Sequence, residues 1–144
     1  MVKKVGYSRE YLLESFINIW ESIINQNEPV VVEGKRDVSA LKRLGFKGDI
    51  IKLNDGKSVL STVEQLVQTY GPGSGFIVMM DWDRTGNKLA MQLKKYGESC
   101  DMLPNLIYRQ KLSTLYSKDI SSIEELPSFI RMLEMNSGNQ NRFN

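Results

Sequence analysis

FIVMMDWDRTG, residues 76–86, joins five apolar residues to two aspartates that are separated by a tryptophan. The apolar run predicts a strand over 76–81, buried on both faces, that leads into a helix. Side chains two positions apart in an extended chain point the same way, so Asp81 and Asp83 share a direction if the extended backbone continues through them. Trp82 would point the opposite way. The sequence therefore predicts a buried strand that ends in two carboxylates on one side.

The alternation of apolar strand and amphipathic helix continues on both sides of this stretch. Strands are predicted over 29–34, 49–54, 76–81 and 99–103, and helices over 37–45, 58–71 and 86–97. Repeats of this length favour parallel pairing with right-handed crossovers, and strands apolar on both faces favour a sheet covered by helices on both sides. We therefore expect an α/β fold with a small doubly wound, mostly parallel four-stranded sheet.

Helical segments flank this core of about 29–103. An amphipathic helix is predicted over 8–26, with Ser8 as its N-cap. The C-terminal extension is predicted to contain helices over 105–116 and about 122–135, followed by a flexible tail over 136–144. We therefore expect a single domain, residues 1–144.

Short polar residues mark the other predicted helix starts. Asp37 and Ser58 are expected as N-caps of the helices after the first and second strands. The last helix would open with a capping box, either Ser121 with Glu124 or Ser122 with Glu125. On the helix before it, Tyr108, Arg109 and Lys111 are expected to form a solvated face, with a basic nucleic-acid-binding face as the alternative.

Composition narrows the chemistry. The 144 residues contain no histidine and one cysteine, Cys100. This excludes histidine-based catalysis, histidine-ligated zinc, cysteine metal clusters and an internal disulfide. Any catalysis must use carboxylates, Lys, Arg, Tyr, Ser or a metal held by oxygen. The net charge of +2 permits a polyanionic partner without arguing for one.

No apolar run approaches the roughly 20 residues of a membrane-spanning helix. The lysines near the N-terminus are not followed by the apolar stretch of a secretory signal. We therefore expect a cytoplasmic protein that has no membrane partner, a setting that suits a single reduced cysteine.

Three acids lie at the predicted carboxyl ends of strands, where open α/β sheets form their sites: Glu33 closes the first strand, and Asp81 and Asp83 close the third. If those strands are neighbours, the carboxylates lie within one or two strand spacings of ~4.8 Å. Such a cluster repels itself, and an oxygen-only ligand set favours a hard cation, Mg²⁺ or Mn²⁺. Lys35 and Arg84 flank the acids and suit a phosphate group.

Each acidic fragment alone has a simpler explanation, because D-x-D pairs are common in solvated turns and Asp83 could begin the turn into a helix.

Two other motifs lack residues that their families require. NDGKSVL (54–60) resembles a P-loop, but the position of the earlier P-loop glycine is Ile51, inside a strand. A response-regulator receiver needs an acidic pair after strand one and a lysine after a fifth strand, and neither is found. The joint occurrence of the two acidic fragments is therefore the informative signal.

VVVEGKRDVSALKRLG (30–45) together with FIVMMDWDRTGNKL (76–89) resembles the Toprim domain. That domain occurs in topoisomerases, bacterial-type primases, OLD-type nucleases, recombination proteins and the nuclease that matures 5S ribosomal RNA. The EGK-x-D and D-x-D-x-x-G patterns are most similar to the primase and ribosomal-RNA-maturase branch and to small stand-alone Toprim proteins. The resemblance covers about 29–103.

The resemblance implies a role for each matching residue. Glu33 matches the family glutamate, a general acid or base that also contacts metal. Asp81 and Asp83 match the metal-binding aspartates, while Lys35 and Arg84 stand as phosphate contacts. Further matches are the small turn positions and a frequent acidic position: Gly34, Gly86 and Asp37. We therefore expect an Mg²⁺- or Mn²⁺-dependent protein that acts on nucleic-acid phosphodiester bonds, most simply as a nuclease.

The chain also departs from the large Toprim enzymes. Its 144 residues leave no room for a topoisomerase DNA-binding domain, a primase zinc region or an OLD-type ATPase domain. A second hypothesis is therefore a non-catalytic metal- and nucleic-acid-binding accessory module. It would work in a larger complex, with a protein partner or further copies of the chain. RNA and DNA both remain open as the nucleic acid.

Overall fold

The computed structural model describes residues 6–53, 56 and 58–137. In chain order its elements are α1 (Arg9–Gln26), β1 (Val30–Val32), α2 (Lys35–Arg43), β2 (Ile50–Lys52), α3 (Val59–Tyr70), β3 (Gly75–Val78), α4 (Arg84–Ser99), β4 (Leu103–Asn105), α5 (Ile107–Tyr116), a 3-10 helix (Ile123–Glu125) and α6 (Leu126–Ser137). Strands and helices alternate through the core, and helices flank it at both ends. The predicted α/β architecture is confirmed.

The four strands form one parallel sheet in the order β2-β1-β3-β4. β1 and β3 are adjacent, with Val30 opposite Ile77 and Val31 opposite Val78. The chain moves outward from β1 to β2 and then returns to β3 on the other side of β1. The strand order therefore reverses between β1 and β3, which is the point where an open α/β sheet places its site.

Alternate strand residues enter two hydrophobic layers, as expected for a doubly wound sheet. Val30 and Ile77 join the layer that contains the buried side chains of α1, α2, α5 and α6. Val31 and Val78 join the opposite layer, which α3 and α4 cover. Helix α1 is tied to the C-terminal helices by Tyr116, whose buried hydroxyl donates to the carbonyl of Leu12 at 2.6 Å.

Two helix starts follow the prediction and one does not. Ser8 and Ser58 cap α1 and α3, because each side-chain oxygen accepts from a backbone N–H of the first turn, at 3.1 and 3.0 Å. The prediction of Asp37 as an N-cap was wrong, since α2 begins at Lys35 and Gly34 takes the cap position. Asp37 lies in the first turn, and its carboxylate reaches back to accept from the Gly34 N–H at 3.1 Å.

The last predicted strand was misplaced. Strand β4 comprises Leu103–Asn105 rather than 99–103, because α4 continues past Gly97 to Ser99. Pro104 therefore lies inside the strand. An edge strand tolerates proline, because one side of its backbone needs no ladder hydrogen bond.

The last helix opens with a 3-10 turn. The Glu125 carboxylate accepts from the Ser122 hydroxyl at 2.8 Å and from the Ser121 N–H at 3.1 Å. The predicted Ser122–Glu125 contact is thus present, although Ser122 donates to the carboxylate instead of capping a backbone N–H. The tail predicted over 136–144 lies outside the described residues from 138 onward. Across the described residues, every helix is too short or too polar to cross a lipid bilayer.

Candidate acidic site

The sequence-predicted acids lie beyond the carboxyl ends of the adjacent strands β1 and β3. Glu33 directly follows β1, and the parallel register brings it alongside the residues that lead into Asp81. The two groups interact, because the charge of Glu33 adds a small contribution to the rise in the pKa of Asp81 that burial mainly causes. Strand β3 itself ends at Val78 rather than at 81. Residues 80–83 therefore form a loop beyond the sheet, which we call the acidic loop.

Asp81 is half-buried within this cluster, and its Oδ1 accepts from the Ile123 N–H at 2.8 Å. Burial raises the pKa of Asp81 to about 6, although the hydrogen bond from Ile123 opposes the shift. Neighbouring negative charges raise it further, in the order Asp37, Asp83 and Glu33. At neutral pH this carboxylate is charged in surroundings that disfavour the charge, and a cation would relieve that repulsion.

Asp83 is exposed and caps α4, since its Oδ1 accepts from the Gly86 N–H at 2.8 Å. The simpler explanation, that Asp83 begins the turn into the helix, is therefore correct for one of its oxygens. Among the described residues, no hydrogen bond reaches the other oxygen of Asp83 or of Asp81. Each aspartate thus has one oxygen fixed by the backbone and one available for a ligand.

Asp37 is a member of the cluster that the sequence analysis kept out of its proposed site. It is only 8% exposed, and burial raises the pKa of its carboxyl group, with the Gly34 N–H opposing the shift. Among the surrounding charges, Asp37 has the largest effect on Asp81. The E-G-x-x-D spacing was the available signal. On its own, that spacing predicts a helix cap, because a single aspartate at a helix start normally is one.

Lys35 and Arg84 lie at matching positions. Each is the exposed first residue of its helix, α2 or α4, and these helices begin where β1 and β3 end. The first-turn N–H groups of a helix have no partner within the helix and favour anions. Arg36, beside Lys35, pairs with exposed Glu124 at 3.8 Å. The rim around the acids therefore combines two helix N-termini with two exposed cations.

The C-terminal extension holds the acidic loop through its backbone. Trp82 donates from its N–H to the Ser121 carbonyl at 3.0 Å and from its buried Nε1 to the Ile120 carbonyl at 2.7 Å. Trp82 packs in the layer of α1, α5 and α6. Together with the bond from Ile123 to Asp81, these contacts fasten the loop to residues 120–123.

Helix α5 contacts the loop from another direction. Arg109 Nε donates to the Met80 carbonyl at 3.0 Å, and Nη2 donates to the Asp81 carbonyl at 2.6 Å. Tyr108 is buried, and its hydroxyl lies 2.8 Å from Ser22 Oγ. The prediction that Tyr108 and Arg109 form a solvated face was therefore wrong. Sequence patterns could not show this, because the partners of Arg109 in the loop are main-chain carbonyls.

The donor set fits a hard cation in its chemistry. Within the described parts of the chain, no three Asp, Glu or Cys side chains are close enough together to form a ready-made ion site. The carboxylates of Glu33, Asp81 and Asp83 interact electrostatically, and one oxygen of each aspartate is unbonded. Mg²⁺ commonly uses one or two carboxylates and completes its ligands with water and substrate oxygens. The residues present therefore fit such an ion.

Asp81→Asn is expected to stabilise the metal-free protein at pH 8 by about 1 kcal/mol, after allowance for the exposed part of the side chain. The amide oxygen keeps the bond from Ile123. The folded pKa of about 6 lies above the ordinary 3.8, so the stability that protonated Asp81 contributes is complete below pH 3.8 and is lost as the pH rises through 6. The gain should therefore vanish near pH 4.

Urea unfolding in EDTA from pH 4 to 8 measures this difference. Exposed Asp119→Asn is the matched control, and it should show no comparable gain. An Asp81→Asn protein less stable than wild type at pH 8 would contradict the account of a destabilised charge.

Fold and site together define a class, the small parallel α/β proteins that carry a carboxylate cluster where the strand order reverses. The chain belongs to the UPF0292 family. It is 35% identical to the UPF0292 protein of Methanosarcina barkeri over 109 residues, which cover 76% of this chain and 73% of that protein. It is 34% identical to the UPF0292 protein of Thermococcus onnurineus over 97 residues, covering 67% and 69%.

A solved structure from Aquifex aeolicus has the same fold. It matches with a TM-score of 0.63 at 24% sequence identity, covering 76% of this chain and 95% of that one. No protein-family model matches the chain. The names of these relatives specify neither an activity nor a ligand, so a functional proposal must rest on the site itself.

Proposed function

We propose that this chain is a divalent-metal-dependent protein of the cytoplasm that acts on nucleic-acid phosphodiester bonds, most simply as a nuclease. The observation that carries the proposal is the placement of Glu33, Asp81 and Asp83 after adjacent strands, where the charges of Glu33 and Asp83 act on Asp81. The resemblance of the EGKRD and DWDRTG runs to the Toprim domain supports the same function. Mg²⁺ or Mn²⁺ is the expected ion.

The three carboxylates have different roles. Asp81 and Asp83 hold the ion through the oxygens that the backbone leaves unbonded, with Glu33 as a further contact. When bound, the ion supplies positive charge for the attacking and leaving oxygens of the phosphodiester. Glu33 takes a proton from the attacking water or returns one to the leaving oxygen. The orientation of both aspartates is fixed beforehand by the N–H groups of Ile123 and Gly86.

The substrate phosphate binds between the two helix starts. Lys35 and Arg84 neutralise its charge, and the first-turn N–H groups of α2 and α4 add donors that also favour an anion. An acidic cluster alone would repel nucleic acid. Because cations lie beside the carboxylates, a phosphodiester and a metal ion can bind at the same edge of the sheet.

One observation favours the second candidate, a non-catalytic metal- and nucleic-acid-binding module in a larger nucleoprotein complex. Asp83 caps α4 and Asp81 accepts from Ile123, so both aspartates have a structural reason to be present without catalysis. In that case a protein partner or a second copy of the chain would supply most of the nucleic-acid surface.

Glu33→Gln and Asp81→Asn are each expected to lower metal-dependent cleavage by about 10²-fold or more while the fold persists. The assay incubates purified protein with labelled single-stranded and structured RNA and DNA in Mg²⁺, Mn²⁺ or EDTA. Glu64→Gln, an exposed glutamate on α3, is the matched control and should cleave like wild type.

The two candidate functions separate in this assay. Cleavage by Glu33→Gln at the wild-type rate would contradict the catalytic role. Metal-dependent binding of nucleic acid without cleavage by the wild type would replace the nuclease with the accessory module.

A further inference from the structure

The acidic loop leaves main-chain carbonyls that the sheet does not satisfy. Met80 and Asp81 lie beyond Val78, the last residue of β3, and no backbone N–H among the described residues donates to either carbonyl. Met80 is almost fully buried. A buried carbonyl without a donor is costly, and a donor from elsewhere in the fold is therefore required.

Arg109 supplies these donors and links the loop to the next helix. Besides its bonds to Met80 and Asp81, Nη2 donates to Asn87 Oδ1 at 2.5 Å in the first turn of α4. One planar group thus joins the Met80–Asp81 part of the acidic loop to the first turn of α4, the helix that Asp83 caps. The fixed fork of a guanidinium can hold several acceptors in one plane, which a lysine ammonium cannot do.

We propose that Arg109 is the positioning residue of the metal site, setting the separation of Asp81 and Asp83. This inference rests on the proposed metal-binding function, and it assigns a role to the C-terminal extension that the three acids do not require. Groups that orient ligands from behind typically change metal affinity 10- to 100-fold when removed. Arg109 acts through the backbone and touches neither carboxylate oxygen in the described contacts.

Because Arg109 is positively charged, a charge effect and a positioning effect predict opposite changes in metal affinity when it is replaced. Burial lowers the pKa of Arg109, and the charges of Asp81 and Asp83 oppose that shift, so the guanidinium is within electrostatic reach of both carboxylates. If Arg109 acted only as a charge, removing it would tighten the binding of a divalent cation to the acids. If it positions the ligands, removing it loosens binding, and so does lysine, which keeps the charge without the fork.

The experiment titrates Mn²⁺ by calorimetry into the full chain as wild type, Arg109→Lys, Arg109→Met and Asn87→Ala. Both Arg109 variants should bind about tenfold more weakly or worse. Asn87→Ala keeps the arginine and removes only its link to α4. It should weaken binding less, and it serves if the Arg109 variants do not fold. Tyr116→Phe, a buried change elsewhere on α5, is the control for general destabilisation and should bind like wild type.

The outcomes distinguish a failure of the positioning role from a failure of the proposed metal-binding function. Wild-type affinity in Arg109→Lys, with equal or tighter binding in Arg109→Met, would overturn the positioning role and leave the metal site standing. Equal weakening by Tyr116→Phe would also overturn it. A wild-type chain that binds no Mn²⁺ would overturn both the inference and the proposed function.

Discussion

Gly86→Ala is expected to lower the free energy of unfolding by about 3 kcal/mol, because the added methyl group has no space. A Cβ at this position would lie 1.8 Å from the Asp81 carbonyl oxygen and 2.5 Å from the carbonyl carbon. Both atoms are main chain and cannot rotate away. Helix α4 would have to move off the acidic loop, and the bond from the Gly86 N–H to Asp83 would be strained with it.

Gly34→Ala is the matched control, because Gly34 precedes α2 as Gly86 lies at the start of α4. A Cβ at Gly34 would meet no atom within 4 Å, and its φ of −146° suits any residue. The only expected cost is that of alanine as an N-cap, about 1 kcal/mol or less. Chemical denaturation of both variants measures the difference. Equal stability of Gly86→Ala and wild type would contradict the close packing of α4 against the loop.

Trp82→Ala is expected to destabilise the protein by about 3–4 kcal/mol, which is the usual cost of emptying a large aromatic site. The indole is 9% exposed and packs between the sheet and the C-terminal helices. Its Nε1 also donates to the Ile120 carbonyl. The loss should free the C-terminal extension from the acidic loop, because the Trp82 side chain is one of the contacts that join them.

Trp82→Phe separates packing from hydrogen bonding. It retains most of the apolar volume and leaves the Ile120 carbonyl without its donor, so a loss of about 1–2 kcal/mol is expected. Thermal and urea unfolding of the two variants measure the contributions of packing and of the hydrogen bond to stability. If Trp82→Phe were as damaging as Trp82→Ala, the hydrogen bond and not the packing would dominate. If both were neutral, the loop would be held by other contacts.

The sheet could be predicted from sequence because its signals are local. Three apolar runs separated by amphipathic segments predict parallel strands. Their apolar character on both faces predicts helices on both sides of the sheet. Pro104 shows the limit of this reasoning. The fourth strand is predicted over 99–103, before this proline, yet the edge strand β4 contains it, and edge position depends on the order of strands in space.

The placement of three acids could be predicted for the same reason. Glu33 follows β1, and Asp81 and Asp83 follow β3, and strand ends can be read from a sequence once parallel pairing is assumed. Asp37 and Arg109 were missed because their roles depend on tertiary contacts. Asp37 lies in the first turn of α2 and its charge acts on Asp81 across the sheet edge, and Arg109 reaches carbonyls that are 28 and 29 residues away in the chain.

We expect the acids that follow β1 and β3 to bind a divalent cation. The most direct test is a calorimetric titration of Mg²⁺ and Mn²⁺ into the wild type and into an Asp81→Asn/Asp83→Asn double variant. Asparagine can still accept from Ile123 and can still cap α4, so the variant should fold. We predict binding by the wild type that disappears in the double variant. Equal binding by both proteins, or none by the wild type, would contradict the claim.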